Sequence, residues 1–453
     1  MKSSPDSPEE PLAAGGWACR YANALLAQLE TPVRIGPQTE APAALVWARS
    51  GAMTLTGERE GPAQLCPVPL ASLADGLIAA LHALRPCAAL RAIDGGALLG
   101  ERAALGQLER AGAIAAGGAC RLLYVVDGVL AVNLARQEDW ALLPAWLEAG
   151  ELHSWEALAG VLCRRPLDEC VQRARLLGLA VAPFAAPRRQ SRPWWREFHR
   201  GTAHAPRRAG APRVIDLSAL WAGPLAAQLL QLMGAEVIKV ESLSRPDGLR
   251  ADGSGFFALL NAAKQSLALD FGTRAGREAL RELLMRADII IEAARPRALR
   301  QLGIDATQIL ERNPSATWIA ISGYGREEPQ GQWTAYGDDA GVAAGLSHIL
   351  RECSGRLVFC ADAVADPLTG LHAALAAWSS YAQGGGRGLS IALADVVAHG
   401  IAFSWPREGF AARAAHWQRY VKSADIAAPR ARAAAVVAPP LGCHTDALLA
   451  ALN

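Results

Sequence analysis

The sequence predicts an α/β protein, with a mainly parallel sheet in its second half and a separate unit N-terminal to it. Two observations carry this expectation. From residue 212 onward, short β-branched runs alternate with apolar helical stretches, the pattern of parallel strands covered by helices on both faces. Over 187–210 the composition turns abruptly to Arg, Pro and Gly with no sustained amphipathic period, which marks a linker between two units. The 453 residues, 51% hydrophobic, suffice for two or three packed domains.

Taken in chain order, the lead MKSSPDSPEEPLAAGG (1–16) is polar and acidic, lacks the basic and apolar regions of a secretory signal, and is expected to be disordered. In the second half, RVIDL (213–217) reads as a first strand, followed by an apolar helix over 223–233 and a second strand, EVIKVE (236–241). SLALD (266–270), a helix near 273–286, DIIIEA (288–293), ATWIAIS (316–322) and LSIALAD (389–395) continue the alternation. Ligands of such sheets bind beyond the carboxyl ends of the strands. The first turn, DLSALWAGPLAAQLL, has no GxGxxG, so a dinucleotide cofactor is not expected. Lys239, Arg245, Arg250, Lys264, Arg295, Arg297 and Arg300 collect near the expected strand ends, as solvated surface charges or as partners for a phosphorylated ligand.

Charge and cysteine usage narrow the partners. A net charge of +2 gives no reason to expect nucleic acid or membrane, and no apolar run reaches transmembrane length. The Arg-rich linker with Trp194-Trp195 is too short a basic stretch to change that; its tryptophans are expected to pack on a neighbouring domain. Nine cysteines without a CxxC pair imply a reducing, cytoplasmic setting, and with no HExxH among the histidines no metal site is expected.

One segment stands out, FCADAVADPLTGLHA (359–373), in which Asp366-Pro367 follows an expected short strand and opens an apolar helix. Asp is a preferred N-cap and Pro suits the first helical position, so spacing alone assigns Asp366 to capping. The same place has a chemical use. A helix N-terminus lowers a carboxylate's pKa and keeps it ionised, and an ionised, fixed carboxylate can attack a thioester.

DLSALWAGPLAAQLLQLMGAEVIKVE, LNAAKQSLALDF, ADIIIEAARPRALRQLGID, NPSATWIAISGYG, ADAVADPLTGLHAALAA and GGGRGLSIALAD, in this order over 211–401, resemble the family III CoA-transferases, the group of formyl-CoA transferase and carnitine CoA-transferase. PPLGCHTDALLAAL (439–452) is similar to that family's C-terminal helix. The resemblance implies CoA transfer from an acyl-CoA to an acceptor carboxylic acid, no permanently bound cofactor, and a homodimer. It places the catalytic nucleophile at Asp366, with an aspartyl anhydride and then an aspartyl-CoA thioester as intermediates; Asp362 lies outside the matched frame.

The implied CoA contacts match unevenly. Lys264 is retained, whereas Trp221, beside Ala222, stands where formyl-CoA transferase has a catalytic glutamine, and Ser242, Ala293 and Gln301 replace polar or basic family residues. Racemases of the family use a His where this chain has Tyr336, and a tyrosine of ordinary pKa is a poor base at neutral pH. That difference favours CoA transfer over racemisation or isomerisation; a non-catalytic CoA-binding protein is the third alternative.

The domain order departs from the family. Only about 50 residues separate the last matched strand from the final helix, so the resemblance implies a Rossmann-like large domain with a mainly parallel sheet at 211–401, a smaller α+β domain placed N-terminal to it at 111–186, and a return segment at 402–453. Gly117 and Gly118 then stand for the glycine-rich loop over the nucleophile. Trp17-Ala18, Ala22, Leu25, Leu26 and Val33 repeat Trp221-Ala222, Ala226, Leu229, Leu230 and Val237 at one offset, so 17–110 is expected to be a degenerate partial copy of the large domain's opening.

Overall fold

The computed structural model describes residues 16–202, 210–434 and 436–452; the acidic lead through residue 15 lies outside the described residues. The N-terminal region is helical, with α1 (Trp17–Gln28), α2 (Ala43–Arg49), α3 (Leu70–Leu84) and α4 (Glu101–Gly106). The α3 sequence, LASLADGLIAALHAL, is apolar nearly all round, and such a helix belongs inside a core. Ten of its fifteen residues are buried accordingly. A small antiparallel sheet follows, β1 (Cys120–Val125), β2 (Gly128–Asn133) and β3 (Ala180–Pro183). Strand alternation gives it two apolar faces. Leu130 and Val132 meet the helices Trp155–Leu162 and Leu167–Leu177, while Val129 and Ala131 meet Val342 and Phe359 of the second half.

The expected linker contains a strand. β4 (Trp195–Arg200) pairs antiparallel with the last strand of the large sheet, and Trp194 beside it is buried, its indole N–H donating to Gln28 Oε1 at 2.6 Å. The basic composition concealed it. The charges are spent in cross-strand pairs rather than in solvent, as where Arg387 Nε donates to Glu197 Oε1 at 2.7 Å.

The large sheet continues with β5 (Arg213–Asp216), β6 (Glu236–Ser242), β7 (Gln265–Leu269), β8 (Ile289–Glu292), β9 (Thr317–Ser322) and β10 (Arg387–Ala392). Its order is β4-β10-β9-β8-β5-β6-β7, and all pairs but β4–β10 are parallel. Counting from β5, the parallel strands therefore run 3-2-1-4-5-6, an order of doubly wound sheets. The helices that follow its strands are α5 (Ala222–Leu232), α6 (Arg274–Met285), α7 (Gly337–Ala344), α8 (Ala365–Ala382) and α9 (Leu393–Phe403), of which α7 packs on α9 and on β2 and β3 of the small sheet. Neighbouring strand residues divide between two cores: Val214, Ile289 and Ile291 share one with α5 and α8, while Ile215, Ile290 and Trp318 share the other with α6. LSIALAD is not strand throughout, because α9 begins at Leu393 directly after β10. Residues 357–360 before α8 form no strand either; Leu357 and Phe359 pack against β1 and β2 instead.

The two halves of the chain repeat one close contact. A Cβ on Gly370 of α8 would lie 2.6 Å from Ala222 O of α5, and one on Gly76 of α3 would lie 2.5 Å from Ala18 O of α1. Only glycine permits either approach. Ala18 and Ala222 are 204 positions apart, whereas Gly76 and Gly370 are 294 apart. The second offset also relates the first residues of α2 and α7, the left-handed glycines Gly51 and Gly345 that follow those helices, and Cys66 with Cys360. The halves meet along α3 and α8, and Cys66 and Cys360 are both buried in the core that these helices share. Among the described residues no strand lies between α1 and α2, whereas β6 to β9 lie between α5 and α7.

Candidate active site

At the start of α8, Asp366 is the second helical residue; the capping position falls on Val364, which makes no side-chain cap. The expected N-cap is therefore corrected. The chain approaches α8 through Ala361 and Ala363, both left-handed at φ of 55° and 43°, a strained course for residues with a Cβ. That course turns the Asp366 carboxyl away from its own helix and towards the first turn of α7, where Gly337 N–H donates to Oδ2 at 3.0 Å. Oδ1 accepts no hydrogen bond among the described residues, and the side chain is half-buried.

Three carboxyls and one cation crowd this point. Arg102 of α4 grips Asp362, with Nε donating to Oδ2 at 2.8 Å and Nη2 to Oδ1. Asp338 accepts from Ala363 N–H at 2.9 Å. Burial pushes the Asp366 carboxyl up to about 7; Arg102 opposes the rise, and Asp338 and Asp362 add to it. The dipole-lowered, fully ionised carboxylate expected from sequence is thus corrected, because desolvation and like charges outweigh the helix end. Asp338 is likewise raised to about 6, by burial and then by Asp362. Asp339 is raised to about 7 by burial, although its Oδ1 accepts from Tyr336 N–H and from Asn133 Nδ2 of β2.

The remaining sequence candidates divide. Trp221 caps α5 and is buried; its ring lies 5.7 Å from the Arg102 guanidinium carbon and 5.1 Å from the Phe256 ring. Its indole N–H has no partner among the described residues. Ala222 opens α5 beside it. Gly117 and Gly118 form an exposed turn, and a Cβ on Gly117 would sit 2.9 Å from Arg102 Nη2, so the glycine turn does reach the carboxyl cluster. Tyr336 caps α7 and is half-buried, with its hydroxyl pKa raised by burial. Ala293 is exposed just beyond the carboxyl end of β8.

Lys264 does not present a cation to a ligand. It is buried, and its ammonium donates to Asp216 Oδ2 at 3.0 Å, Pro224 O at 2.9 Å and Asn261 Oδ1 at 3.0 Å, which uses all three donors. Burial lowers its pKa to about 8. Lys239 and Arg250 are likewise committed, to Asp247 and to Glu241. Arg245 and Arg295 stay exposed, near enough to each other and to Arg136 for the three charges to repel. Sequence reasoning missed Arg102, Asp338 and Gly337. Arg102 lies outside any motif, 260 positions from its partner Asp362, while AYGDDAG held the other two next to Tyr336.

The family model for CoA-transferase family III matches residues 211–434. An acyl-CoA transferase of Fusarium pseudograminearum is 33% identical over 35% of this chain and 38% of its own length. A succinate–glutarate CoA-transferase of Agrobacterium fabrum is 30% identical over 41% of this chain and 50% of its own. A formyl-CoA:oxalate CoA-transferase of Escherichia coli is 30% identical over 35% and 40%. The chain thus spans half or less of the length of each of these relatives. A hypothetical protein from Mycobacterium tuberculosis superimposes with a TM-score of 0.40 and 27% identity over 43% of this chain and 57% of that one.

Proposed function

With residues 211–434 belonging to CoA-transferase family III, we propose that this chain moves CoA from an acyl-CoA thioester to a carboxylic acid, with Asp366 as the covalent carrier. The observation that carries this is the Asp366 carboxyl itself: one oxygen is fixed by Gly337 N–H, and the other has no partner among the described residues, at a half-buried position. A carboxylate so held is a nucleophile whose geometry is set before substrate arrives. Oδ1 attacks the thioester carbonyl, a C–O bond forms, the C–S bond breaks, and CoA leaves as thiolate. The thiolate then attacks the aspartyl carbonyl of the mixed anhydride, releasing the donor acid and leaving an aspartyl-CoA thioester. An acceptor carboxylate reverses the two steps, and Asp366 is regenerated.

Donors around this point suit the oxyanions. Backbone N–H groups at the α5 N-terminus, Ala222 among them, and the Gly117 N–H of the glycine turn are those assigned to the reacting carbonyl, while Gly118 N–H donates to Ala115 O. The exposed Arg245 and Arg295 follow the carboxyl ends of β6 and β8 and are assigned to the phosphates of CoA. Lys264 is assigned to the core instead. Arg102, Gly117 and Asn133 of the first half stand with Asp362, Asp339 and Asp366 of the second, which supports a site assembled within one chain.

The names of the relatives point to small carboxylic acids, including dicarboxylic ones, as the acceptor class. A racemase reading is disfavoured by Tyr336, because burial makes its hydroxyl harder to deprotonate. The test is turnover: succinyl-CoA, incubated with a panel of free acids and followed by chromatography, gives a new acyl-CoA with the native protein and none with Asp366→Asn. Deuterium entry at the acyl α-carbon without a new thioester supports the racemase, and CoA binding with neither reaction supports a binding protein.

A further inference from the structure

The repeat shows an asymmetry of charge. At the 294-residue offset, Asp338, Asp362 and Asp366 correspond to Ala44, Val68 and Ser72, while Arg102 corresponds to Val396. All three acids therefore belong to the second half, the cation beside them belongs to the first, and each counterpart is uncharged. Two related places exist in the chain, and this cluster of charge is gathered at one.

We propose that Arg102, carried by the first half of the chain, is a positioning residue of the Asp366 site: its guanidinium fixes Asp362 and supplies the positive charge that lets Asp366 stand ionised between two other carboxyls. This rests on the reading of Asp366 as nucleophile. The geometry supports it from three sides. The fork of Arg102 is bidentate to Asp362, its plane lies beside the Trp221 ring, and Gly117 has no Cβ to obstruct Nη2. A lysine has no such fork but keeps the charge.

The charged groups acting on Asp366 are Arg102, Asp338 and Asp362, with Arg102 the strongest of them. Without the cation, the like charges beside Asp366 are unopposed, and Asp366 is held protonated to higher pH. A protonated Asp366 cannot attack the thioester. Attack moves the negative charge from Asp366 to the departing thiolate, so a fixed positive charge beside the site remains useful through the step. A purely structural Arg102 would hold the strained turn at 361–363 and nothing more.

The test is a 13Cγ-aspartate NMR titration of the full chain, with Asp366→Asn identifying the resonance. Arg102→Gln is expected to raise the Asp366 midpoint by about one pH unit or more, and Arg102→Lys to leave it within about half of that rise. Should Arg102→Gln not fold, Arg102→Gln/Asp362→Asn removes cation and partner together. Its midpoint still rises, because Arg102 acts on Asp366 more strongly than Asp362 does. An unchanged or lowered midpoint in whichever of these variants folds overturns the proposal. The readout does not depend on turnover: a native protein without transferase activity counts against the proposed reaction, while the midpoint still decides the role of Arg102.

Discussion

Asp366→Asn separates the electrostatics of the site from its chemistry. The native carboxyl is raised from the ordinary 3.8 to about 7, so the folded protein binds this proton more tightly than the unfolded chain does. Between about pH 4 and 7 the folded state retains a proton that the unfolded state has released, and stability falls as pH rises. Above pH 7 the full cost of a buried carboxylate is present; below pH 4 it is absent. Three units correspond to about 4 kcal/mol at 1.36 kcal/mol per unit. Half-burial and the charges shared with Asp338 and Asp362 reduce this to on the order of 2 kcal/mol. Asparagine carries no charge, and its side-chain carbonyl still accepts from Gly337 N–H. The variant is therefore expected to melt a few degrees above the native protein at pH 8 and by a much smaller margin at pH 4.5, by circular dichroism melts run in parallel. An equal gain at both pH values, or a loss at pH 8, refutes the reasoning.

Gly337→Ala places a methyl 2.2 Å from Ala363 O and 2.5 Å from Asp366 Oδ2; we expect a loss of about 1–3 kcal/mol in denaturant melts and at least a tenfold loss of turnover. Gly76→Ala and Gly370→Ala press on Ala18 O and Ala222 O, so each is expected to cost a similar 1–3 kcal/mol, about equally if the two helix contacts are equivalent. Lys264→Met leaves Asp216 buried without its partner and is expected to cost about 3–5 kcal/mol, while CoA affinity measured by calorimetry on the folded fraction stays the same. Arg295→Ala is expected to weaken CoA binding about tenfold at low salt and less at high salt; an affinity independent of salt in the native protein contradicts the assignment of Arg245 and Arg295 to phosphates.

The β-branched runs of the second half were legible as strands because parallel strands buried on both faces read as continuous apolar segments, as in IIIE of β8. β4 was not, because an edge strand rich in Arg and Trp shares its composition with a linker. Asp366 was legible through the ordered segments around it, but its environment was not. The position of one oxygen depends on Gly337 of a different helix, and its ionisation depends on Arg102 from the other half of the chain. Lys264 shows the reverse: the matched residue is present, and only the structure shows that its three donors are already taken. The expected partial copy rests on one offset, between the α1 and α5 sequences. The second offset emerged from the glycine contacts of α3 and α8, where sequence similarity is thin and the backbone approach is not.

The central claim is that Asp366 becomes acylated. Native protein mixed with succinyl-CoA in the absence of an acceptor acid, quenched with hydroxylamine, digested and analysed by mass spectrometry, reads it directly. The expected result is a hydroxamate on the peptide containing Asp366, dependent on succinyl-CoA and absent from Asp366→Asn. An unmodified Asp366 peptide, from protein that binds CoA and forms new thioesters, would contradict the account.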